Sequence, residues 1–383
     1  MWVRWRAKVI PLALFFLVGW WLLYTPGGAR TRHRIETSVS PPVPVSGGDG
    51  DVLTTTTTTT EEHDNGTHAA HELCAAHGYA VFGRPRRVYD LIMVNTELDF
   101  LEIRLHTLYD HVDYFIIVES PKTFQGGDKP LLIRDNWARF RRYHDKMVYH
   151  ELEFPSSFRP RRAWDYEDLQ RDAMYEQVLL RQQRPAPSPG DAMLVSDVDE
   201  IPRPRSVDVL RSCRFPRRLT LASRFYYYSF QFLHTGPEWP HPQATFFDGP
   251  ARTLKPTNLR NGDGGVVLFS IPIPLPIPWL RGRESGVLAN AGWHCSSCFA
   301  TMAQFLNKMA SFSHGWMNAD YFRDRDRIAA AVRDGRDLWG RERDTFTRVD
   351  GNDDVPPLVR EEPARFAYMV DRDGPTAGFS DYP

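Results

Sequence analysis

The sequence has almost no excess of charge of either sign, because 47 lysine and arginine residues balance 48 aspartate and glutamate residues. Proteins that bind nucleic acids usually carry a clear basic excess, so this composition indicates no nucleic-acid partner. The apolar and charged fractions, 42% and 25%, are those of a folded globular protein. A length of 383 residues accommodates one large domain or two smaller ones.

Cysteine is also scarce, with four residues in the whole chain. Cys295 and Cys298 form a CxxC pair, and the lack of a second such pair argues against a zinc site, which needs more ligands. The pair is compatible with a local disulfide, a redox pair or half of a metal site. We favour a structural disulfide or buried thiols, because an even count of cysteines permits disulfides in an oxidising compartment.

One apolar run lies near the N-terminus, over residues 9–24, with basic residues on both sides. As a helix these 16 residues span roughly 24 Å, slightly less than a bilayer core of about 30 Å but tolerated in thin early-secretory membranes. We predict a single-pass type II signal anchor, with residues 1–8 in the cytosol and the rest of the chain in the lumen. A cleaved signal peptide is the alternative, since Gly27-Gly28-Ala29 offers small residues for cleavage.

Residues 25–73 have the composition of a spacer. They contain Pro41-Pro42, Gly47-Gly48 and an unbroken threonine run over residues 54–60, and their apolar residues follow no period. The N-glycosylation sequon Asn65-Gly66-Thr67 agrees with a luminal location. We therefore predict a disordered stem over residues 25–87.

From Val88 onward the pattern alternates between strands and helices. The predicted strands cover residues 88–94, 112–118 and 147–152, and the predicted helices cover residues 97–109 and 164–181. This order implies parallel strands joined by crossovers. The first half therefore predicts an open α/β sheet, with ligands beyond the carboxyl ends of the strands. We place one folded domain over residues 88–370 and a tail over residues 371–383.

The second half is less regular. Residues 219–232 are aromatic and β-prone, and residues 302–312 and 321–332 have a helical pattern. Proline occupies every second position of residues 271–278, which forbids a helix or a central strand. We predict an extended surface loop there.

The spacing Asp-x-Asp occurs four times, but only Asp197 and Asp199 directly follow a strand-like apolar run. Two acids at the end of a buried strand are suited to holding a divalent cation against a diphosphate. An acidic turn without a ligand is the alternative interpretation.

Several blocks of the chain, in order, resemble glycosyltransferase family 17. The similar blocks are Glu97-Leu98-Asp99 with Leu101–Leu105, Val118-Glu119-Ser120, the set Trp164, Glu167, Gln170, Arg171 and Asp172, the acidic stretch Asp197–Pro202, and Ala291–Ser296 with Cys298-Phe299. The resemblance covers roughly residues 88–370. It is weak between Tyr228 and Ser270, and the Ile-Pro run has no counterpart that we identify.

The resemblance implies a GT-A-like open mixed sheet flanked by helices, in a Golgi membrane protein with a luminal catalytic domain. It implies an inverting transfer of N-acetylglucosamine from UDP-GlcNAc to a mannose-containing N-glycan, in β-1,4 linkage. Another acceptor or another UDP-sugar is the first alternative. The implied cofactor is Mn²⁺ or Mg²⁺, since hard oxygen ligands suit these ions.

The candidate site residues fall into three groups. We assign Asp199, Asp197 and His294 to the metal, although a lone histidine is often a hydrogen-bonded core residue. We assign donor binding to Asp197, Arg171, Glu97, Glu200 and Trp293, while core packing is the usual role of a tryptophan. Glu238 and Asp248 are candidate general bases, because inversion needs a carboxylate that takes the proton of the attacking hydroxyl.

Two other classes of function remain open at this point. A metal-dependent phosphohydrolase would use Asp197 as nucleophile, with Lys255 and Asp353-Asp354 in support, although their spacing fits poorly. A membrane-tethered sugar-binding protein would bind sugar without Mn²⁺ dependence.

Overall fold

The computed structural model describes residues 68–181, 186–268, 271–275 and 277–382. The predicted cytosolic tail, membrane anchor and glycosylation sequon, and most of the predicted stem, lie outside these residues. Within the described ranges, we find no helix with the length and apolar character needed to span a bilayer.

A mixed sheet of ten strands forms the centre of the described structure, and a separate ribbon has two strands. The strands are β1 (Val88–Met93), β2 (Tyr114–Glu119), β3 (Met147–Glu151), β4 (Ala192–Asp197), β5 (Glu200–Pro202), β6 (Arg218–Tyr227), β7 (Ser229–His234), β8 (Gln243–Phe246), β9 (Val266–Leu268), β10 (Ile271–Ile273), β11 (Ser285–Ser296) and β12 (Phe346–Arg348). The α-helices are α1 (Leu98–Leu108), α2 (Leu132–Asp135), α3 (Ala163–Ala173), α4 (Pro204–Ser212), α5 (Pro256–Arg260), α6 (Pro278–Arg283), α7 (Met302–Ser311), α8 (Arg325–Asp334) and α9 (Pro357–Glu361). Short 3₁₀ segments cover Trp137–Tyr143, Gly315–Asn318, Asp320–Phe322 and Ala367–Met369, and a π-helical turn covers Met174–Leu179.

The first half of the chain forms the parallel part of the sheet, in the order β3-β2-β1-β4. Strand β1 is buried along its whole length, because helices cover both faces of a parallel sheet. Strands β1 and β4 run side by side, with Met93 opposite Asp197. The predicted acidic strand is therefore central, and its carboxyl end lies beside that of β1.

The second half completes the sheet with mostly antiparallel pairs, through β8, β6, β7 and β12. Strand β11 runs parallel to β6 and antiparallel to β5. This pairing places His294 opposite Glu200 and beside Phe225. The expectation of an open mixed sheet flanked by helices is confirmed.

The folded unit starts before Val88, so the predicted stem boundary at residue 87 needs correction. Residues 68–76 are helical, and Cys74 forms a disulfide with Cys213, 139 residues away. Arg86 is buried and donates to the Cys213 carbonyl oxygen over 2.7 Å. Because a disulfide leaves no local periodicity, the composition of this segment did not reveal its attachment.

The C-terminal segment is also part of the fold rather than a tail. Arg372 is fully buried and donates to the carbonyl oxygens of Tyr228, Phe299 and Ala377. The second disulfide joins Cys295 and Cys298, which selects the local bridge among the alternatives for the CxxC pair.

Two predicted elements differ in detail. The helix expected over residues 164–181 is α3 followed by the π-helical turn Met174–Leu179. The Ile-Pro run begins as β10, which pairs only with β9 outside the main sheet, and Ile271 and Leu275 are exposed. The predicted extended, exposed character is confirmed for residues 271–275, whereas Pro278 begins helix α6.

Candidate functional site

A cavity of about 400 Å³ opens at the carboxyl ends of β1 and β4. Open α/β sheets bind ligands at this edge, because loops that leave adjacent strands diverge there. The cavity contains most of the candidate site residues from the sequence. Those that line it are Glu97, Asp197, Asp199, Glu200, Glu238 and His294.

The acidic stretch is a tight turn between β4 and β5. The Asp197 amide donates to the Glu200 carboxylate over 3.0 Å, which closes the turn. Beneath it, the fully buried Arg104 donates to the Glu200 carbonyl oxygen over 2.6 Å and forms an ion pair with the buried Asp90. The backbone of the motif is therefore held by a side chain from α1.

Asp197 and Glu200 are both neutralised by arginine. Arg171 donates to Asp197 Oδ1 over 3.1 Å, and Arg260 donates to Asp197 Oδ2 over 2.8 Å. Arg260 also donates to both oxygens of Glu200, over 2.5 and 2.7 Å. Burial alone raises the pKa of Glu200, but the Arg260 guanidinium outweighs it and holds that pKa far below its ordinary value. Both oxygens of Asp197 thus accept from guanidinium groups that neutralise its charge, which makes Asp197 a weaker ligand for a direct metal contact than a carboxylate without an arginine partner.

Asp199 has a different environment. It is 8% exposed, no lysine or arginine of the described residues lies within ion-pair distance of it, and the His294 Nδ1 atom lies 3.7 Å from Asp199 Oδ1. Burial raises the pKa of the Asp199 carboxyl group. A buried carboxylate without a hydrogen-bond donor is costly unless a cation offsets its charge.

The residues present fit a divalent cation held by two protein groups, the Asp199 carboxylate and the His294 imidazole. Carboxylate oxygens suit Mn²⁺, and a neutral imidazole nitrogen is a common metal ligand. In the described parts of the chain, no cluster of three or more His, Cys, Asp or Glu side chains has the arrangement of a metal site. The remaining ligands of such a cation would come from the diphosphate and water.

Glu97 and Arg171 both form ion pairs with other side chains around the cavity. Glu97 accepts from Lys308 Nζ over 2.6 Å, and both residues line the cavity. Arg171 is buried behind Asp197 and pairs with Glu167 as well. Because both of its partners are anionic, Arg171 holds the acids at the edge of the sheet, and the donor-binding assignment of Arg171 as a direct phosphate contact gains no support.

The structure does not bring Trp293 and Asp248 to the cavity. Neighbouring residues of a strand point to opposite faces, so Trp293 faces away from His294 and its Nε1 atom donates to Asp354 over 2.9 Å. Asp248 pairs with the exposed Arg252 over 2.9 Å. Glu238, in contrast, lines the cavity and accepts from the Asn290 amide over 2.9 Å.

Aromatic rings form the wall around the histidine. Phe225 and Trp239 stack against the His294 ring, at centroid distances of 5.0 and 4.9 Å. Trp239 Nε1 also donates to Glu200 Oε1 over 2.6 Å. The sequence showed that the run containing Phe225 is aromatic, but it did not predict that this run lines the site. No local pattern indicated Trp239, Lys308 or Arg260, which reach the site from distant segments.

The buried His241 makes the free energy of unfolding decrease at acidic pH. Burial, with a contribution from Arg260, lowers its pKa from 6.5 to about 4. The unfolded chain therefore takes up a proton more readily than the folded one, so this contribution to stability is complete above pH 6.5 and declines as the pH falls toward 4. At about 1.4 kcal/mol per pKa unit, the loss approaches about 3 kcal/mol.

We expect His241→Gln to remove most of this decline. Urea unfolding at pH 7.0, 5.5 and 4.5 measures it, with the exposed His71→Gln as control. An equally steep decline in His241→Gln and wild type would contradict this account.

Comparison with known proteins agrees with the blocks found in the sequence. The sequence profile described as "Glycosyltransferase family 17" matches residues 54–252 and 280–357, more than half of the chain. The human "Beta-1,4-mannosyl-glycoprotein 4-beta-N-acetylglucosaminyltransferase" is 26% identical over 317 residues, covering 75% of this chain and 55% of the relative. The rat protein of the same name is 27% identical with the same coverage. The chain thus spans about half the length of the curated relatives it matches.

A solved structure, "Mannosyltransferase PcManGT from Pyrobaculum calidifontis in complex with GDP-Man and Mn2+", aligns with 43% of this chain and 45% of its own. The sequence identity is 12% and the TM-score is 0.24, so this likeness carries no argument. The profile match confirms the resemblance drawn from the sequence blocks: the chain belongs to glycosyltransferase family 17.

Proposed function

We propose that this protein transfers N-acetylglucosamine from UDP-GlcNAc, with inversion, to a mannose-containing N-glycan in β-1,4 linkage. We further propose a divalent cation, Mn²⁺ or Mg²⁺, as its cofactor, and the Golgi membrane as its location, with residues 9–24 as anchor. Family membership and the names of the curated relatives support the reaction class. The observation that carries the proposal is the buried Asp199 carboxylate, which lies beside His294 without a lysine or arginine partner among the described residues, inside the cavity at the end of β4.

The chemistry requires charge compensation where the nucleotide leaves. A divalent cation at Asp199 and His294 would supply Lewis-acid stabilisation of the diphosphate. The chain's own contribution is to keep Asp197 and Glu200 fixed by arginine and to keep the Asp199 carboxylate free of donors. Lys308, which lines the cavity beside Glu97, adds a fixed positive charge near the same place.

Glu238 is the general base of the proposed reaction. It lines the cavity, and among the described residues no lysine, arginine or histidine lies within ion-pair distance of its carboxylate. In the reaction, an acceptor hydroxyl oxygen bonds to the anomeric carbon, the bond from that carbon to UDP breaks, and the hydroxyl proton passes to Glu238. Asp248 does not suit this role, because it pairs with Arg252 away from the cavity.

We expect Glu238→Gln to lower kcat by about 10²- to 10⁴-fold, the usual contribution of a general base, while KM for UDP-GlcNAc changes little. Initial rates over a range of donor concentrations measure both constants. Asp263→Asn, which alters an acid that does not line the cavity, serves as the control. A kcat within threefold of wild type would assign the base to another group.

The decisive test of the function is a donor and acceptor screen with the purified full-length chain, with and without Mn²⁺. We expect transfer from UDP-GlcNAc to N-glycans that carry mannose, and loss of that transfer in EDTA. Sugar binding without turnover in the presence of Mn²⁺ would favour the membrane-tethered binding protein.

The phosphohydrolase alternative gains no support from the geometry. Both oxygens of Asp197 accept from guanidinium groups, so it is not a free nucleophile. Lys255 pairs with Glu176 near the surface, and Asp354 pairs with Arg203 and Arg224. The residues that a phosphohydrolase would need therefore form ion pairs with other side chains.

A further inference from the structure

Arg260 pairs with two acids of the turn, and no sequence pattern singled out the segment that carries it. It is the last residue of α5 and its side chain is 10% exposed. Its guanidinium group joins Asp197 to Glu200 through three hydrogen bonds. The two stretches that match the family profile end at residue 252 and resume at residue 280, so Arg260 lies between them.

The arrangement divides the acids of the turn into two classes. Asp197 and Glu200 have arginine partners, and Glu200 has Trp239 as a third donor. Asp199 has none of these partners and keeps only the imidazole of His294 at 3.7 Å. A carboxylate that already accepts charge-assisted hydrogen bonds competes poorly for a cation, so Arg260 decides which carboxylate remains available.

We propose that Arg260 is a positioning residue that occupies the place of a cation between Asp197 and Glu200, and so confines divalent-metal binding to Asp199 and His294. Helix α5, which lies between the two stretches that match the family profile, is then an integral part of the site in this chain. The inference rests on the proposed function only in naming the metal, since the contacts of Arg260 exist without it.

Helix α5 is well suited to this task. The Thr257 amide donates to Asp172 over 2.8 Å, which attaches α5 to α3, the helix that also carries Arg171. Both arginines that neutralise Asp197 therefore come from one packed pair of helices. Arg260 does not line the cavity, so it acts through the carboxylates and does not contact the substrate.

The test measures binding of Mn²⁺ alone to the purified full-length chain, by the electron paramagnetic resonance signal of free Mn²⁺. Arg260→Met removes the guanidinium group that Asp197 and Glu200 share, although Arg171 still pairs with Asp197. We expect Mn²⁺ to bind at least tenfold more tightly while sugar transfer falls at least a hundredfold. Arg260→Lys keeps the positive charge, and we expect its Mn²⁺ affinity within threefold of wild type. Lys255→Met, in the same segment but paired with Glu176 near the surface, is the matched control and leaves Mn²⁺ affinity unchanged.

A second pair of variants does not depend on the folding of Arg260→Met. We expect Asp199→Asn to weaken Mn²⁺ binding at least tenfold more than Asp197→Asn does. Equal losses in these two variants, or unchanged or weaker Mn²⁺ binding in Arg260→Met, would overturn the inference. The measured quantity is the affinity for Mn²⁺, so this test does not require sugar transfer. If the variants show the expected Mn²⁺ affinities but the wild-type protein transfers no sugar, the proposed function is refuted and the role of Arg260 is supported.

Discussion

Asp199→Asn is expected to lower the rate of sugar transfer by at least about 10³-fold, equivalent to about 4 kcal/mol of transition-state stabilisation. The substitution removes the negative charge at the only acid of the turn that has no arginine partner. Without that charge the site loses its strongest attraction for the cation that compensates the departing diphosphate. Initial rates with UDP-GlcNAc and a mannose-containing N-glycan, at saturating Mn²⁺, measure the effect.

The same substitution leaves the fold intact, which separates a chemical role from a structural one. Asp199 accepts no side-chain hydrogen bond from a positively charged group, and its burial penalises the ionised form. We therefore expect the free energy of unfolding of Asp199→Asn to be equal to or slightly above that of wild type. Asp208→Asn, a change at a partly exposed acid on α4, is the control for activity. A turnover rate of Asp199→Asn within tenfold of wild type would contradict the proposed mechanism.

Arg104→Met is expected to destabilise the protein by about 3–5 kcal/mol, the usual cost of removing one partner of a buried ion pair. Both Arg104 and Asp90 are completely buried, and the two side chains form hydrogen bonds of 2.7 and 2.8 Å. The methionine side chain fills the space but leaves Asp90 without a countercharge. It also removes the donor to the Glu200 carbonyl oxygen, which holds the acidic turn. Urea titrations at pH 7 measure the change in the free energy of unfolding.

Two comparison variants identify the cause. Arg134→Met alters an exposed arginine that pairs with Asp135 and Glu151, and an exposed pair contributes less than about 1 kcal/mol. The double variant Asp90→Asn/Arg104→Met removes both charges and recovers part of the loss, because no buried charge stays unpaired. A loss below about 1 kcal/mol in Arg104→Met would show that water reaches Asp90.

The fold of the first half could be predicted because its determinants are local. Apolar runs at β1 and β2 and leucines at helical spacing in α1 alternate as a parallel sheet requires. The acids after β4 could be placed at the carboxyl edge for the same reason. The attachments of Cys74 and Arg372 were missed, since a disulfide and a buried arginine leave no periodic pattern in the surrounding sequence.

The sequence predicted only some of the residues that line the cavity. Proximity of Asp199 and His294 agrees with the blocks that the sequence suggested, and the strand pairing of β5 with β11 accounts for it. Trp293 points away because it alternates with His294 along the strand, and Asp248 lies with Arg252 outside the cavity. The direction of Trp293 follows from a strand, β11, that the sequence did not predict, and the position of Asp248 depends on a loop after β8 that has no periodic pattern.

By itself, the sequence determined the alternation of strands and helices, the position of two acids at the end of a buried strand, and the family to which the chain is similar. The tertiary structure decided which of those acids is free. Asp197 meets arginines 26 and 63 residues away, whereas Asp199 meets only a histidine 95 residues away. The physical reason is that the charge state and availability of a buried carboxylate depend on its partners in space and on its loss of water, and packing brings those partners together from distant segments.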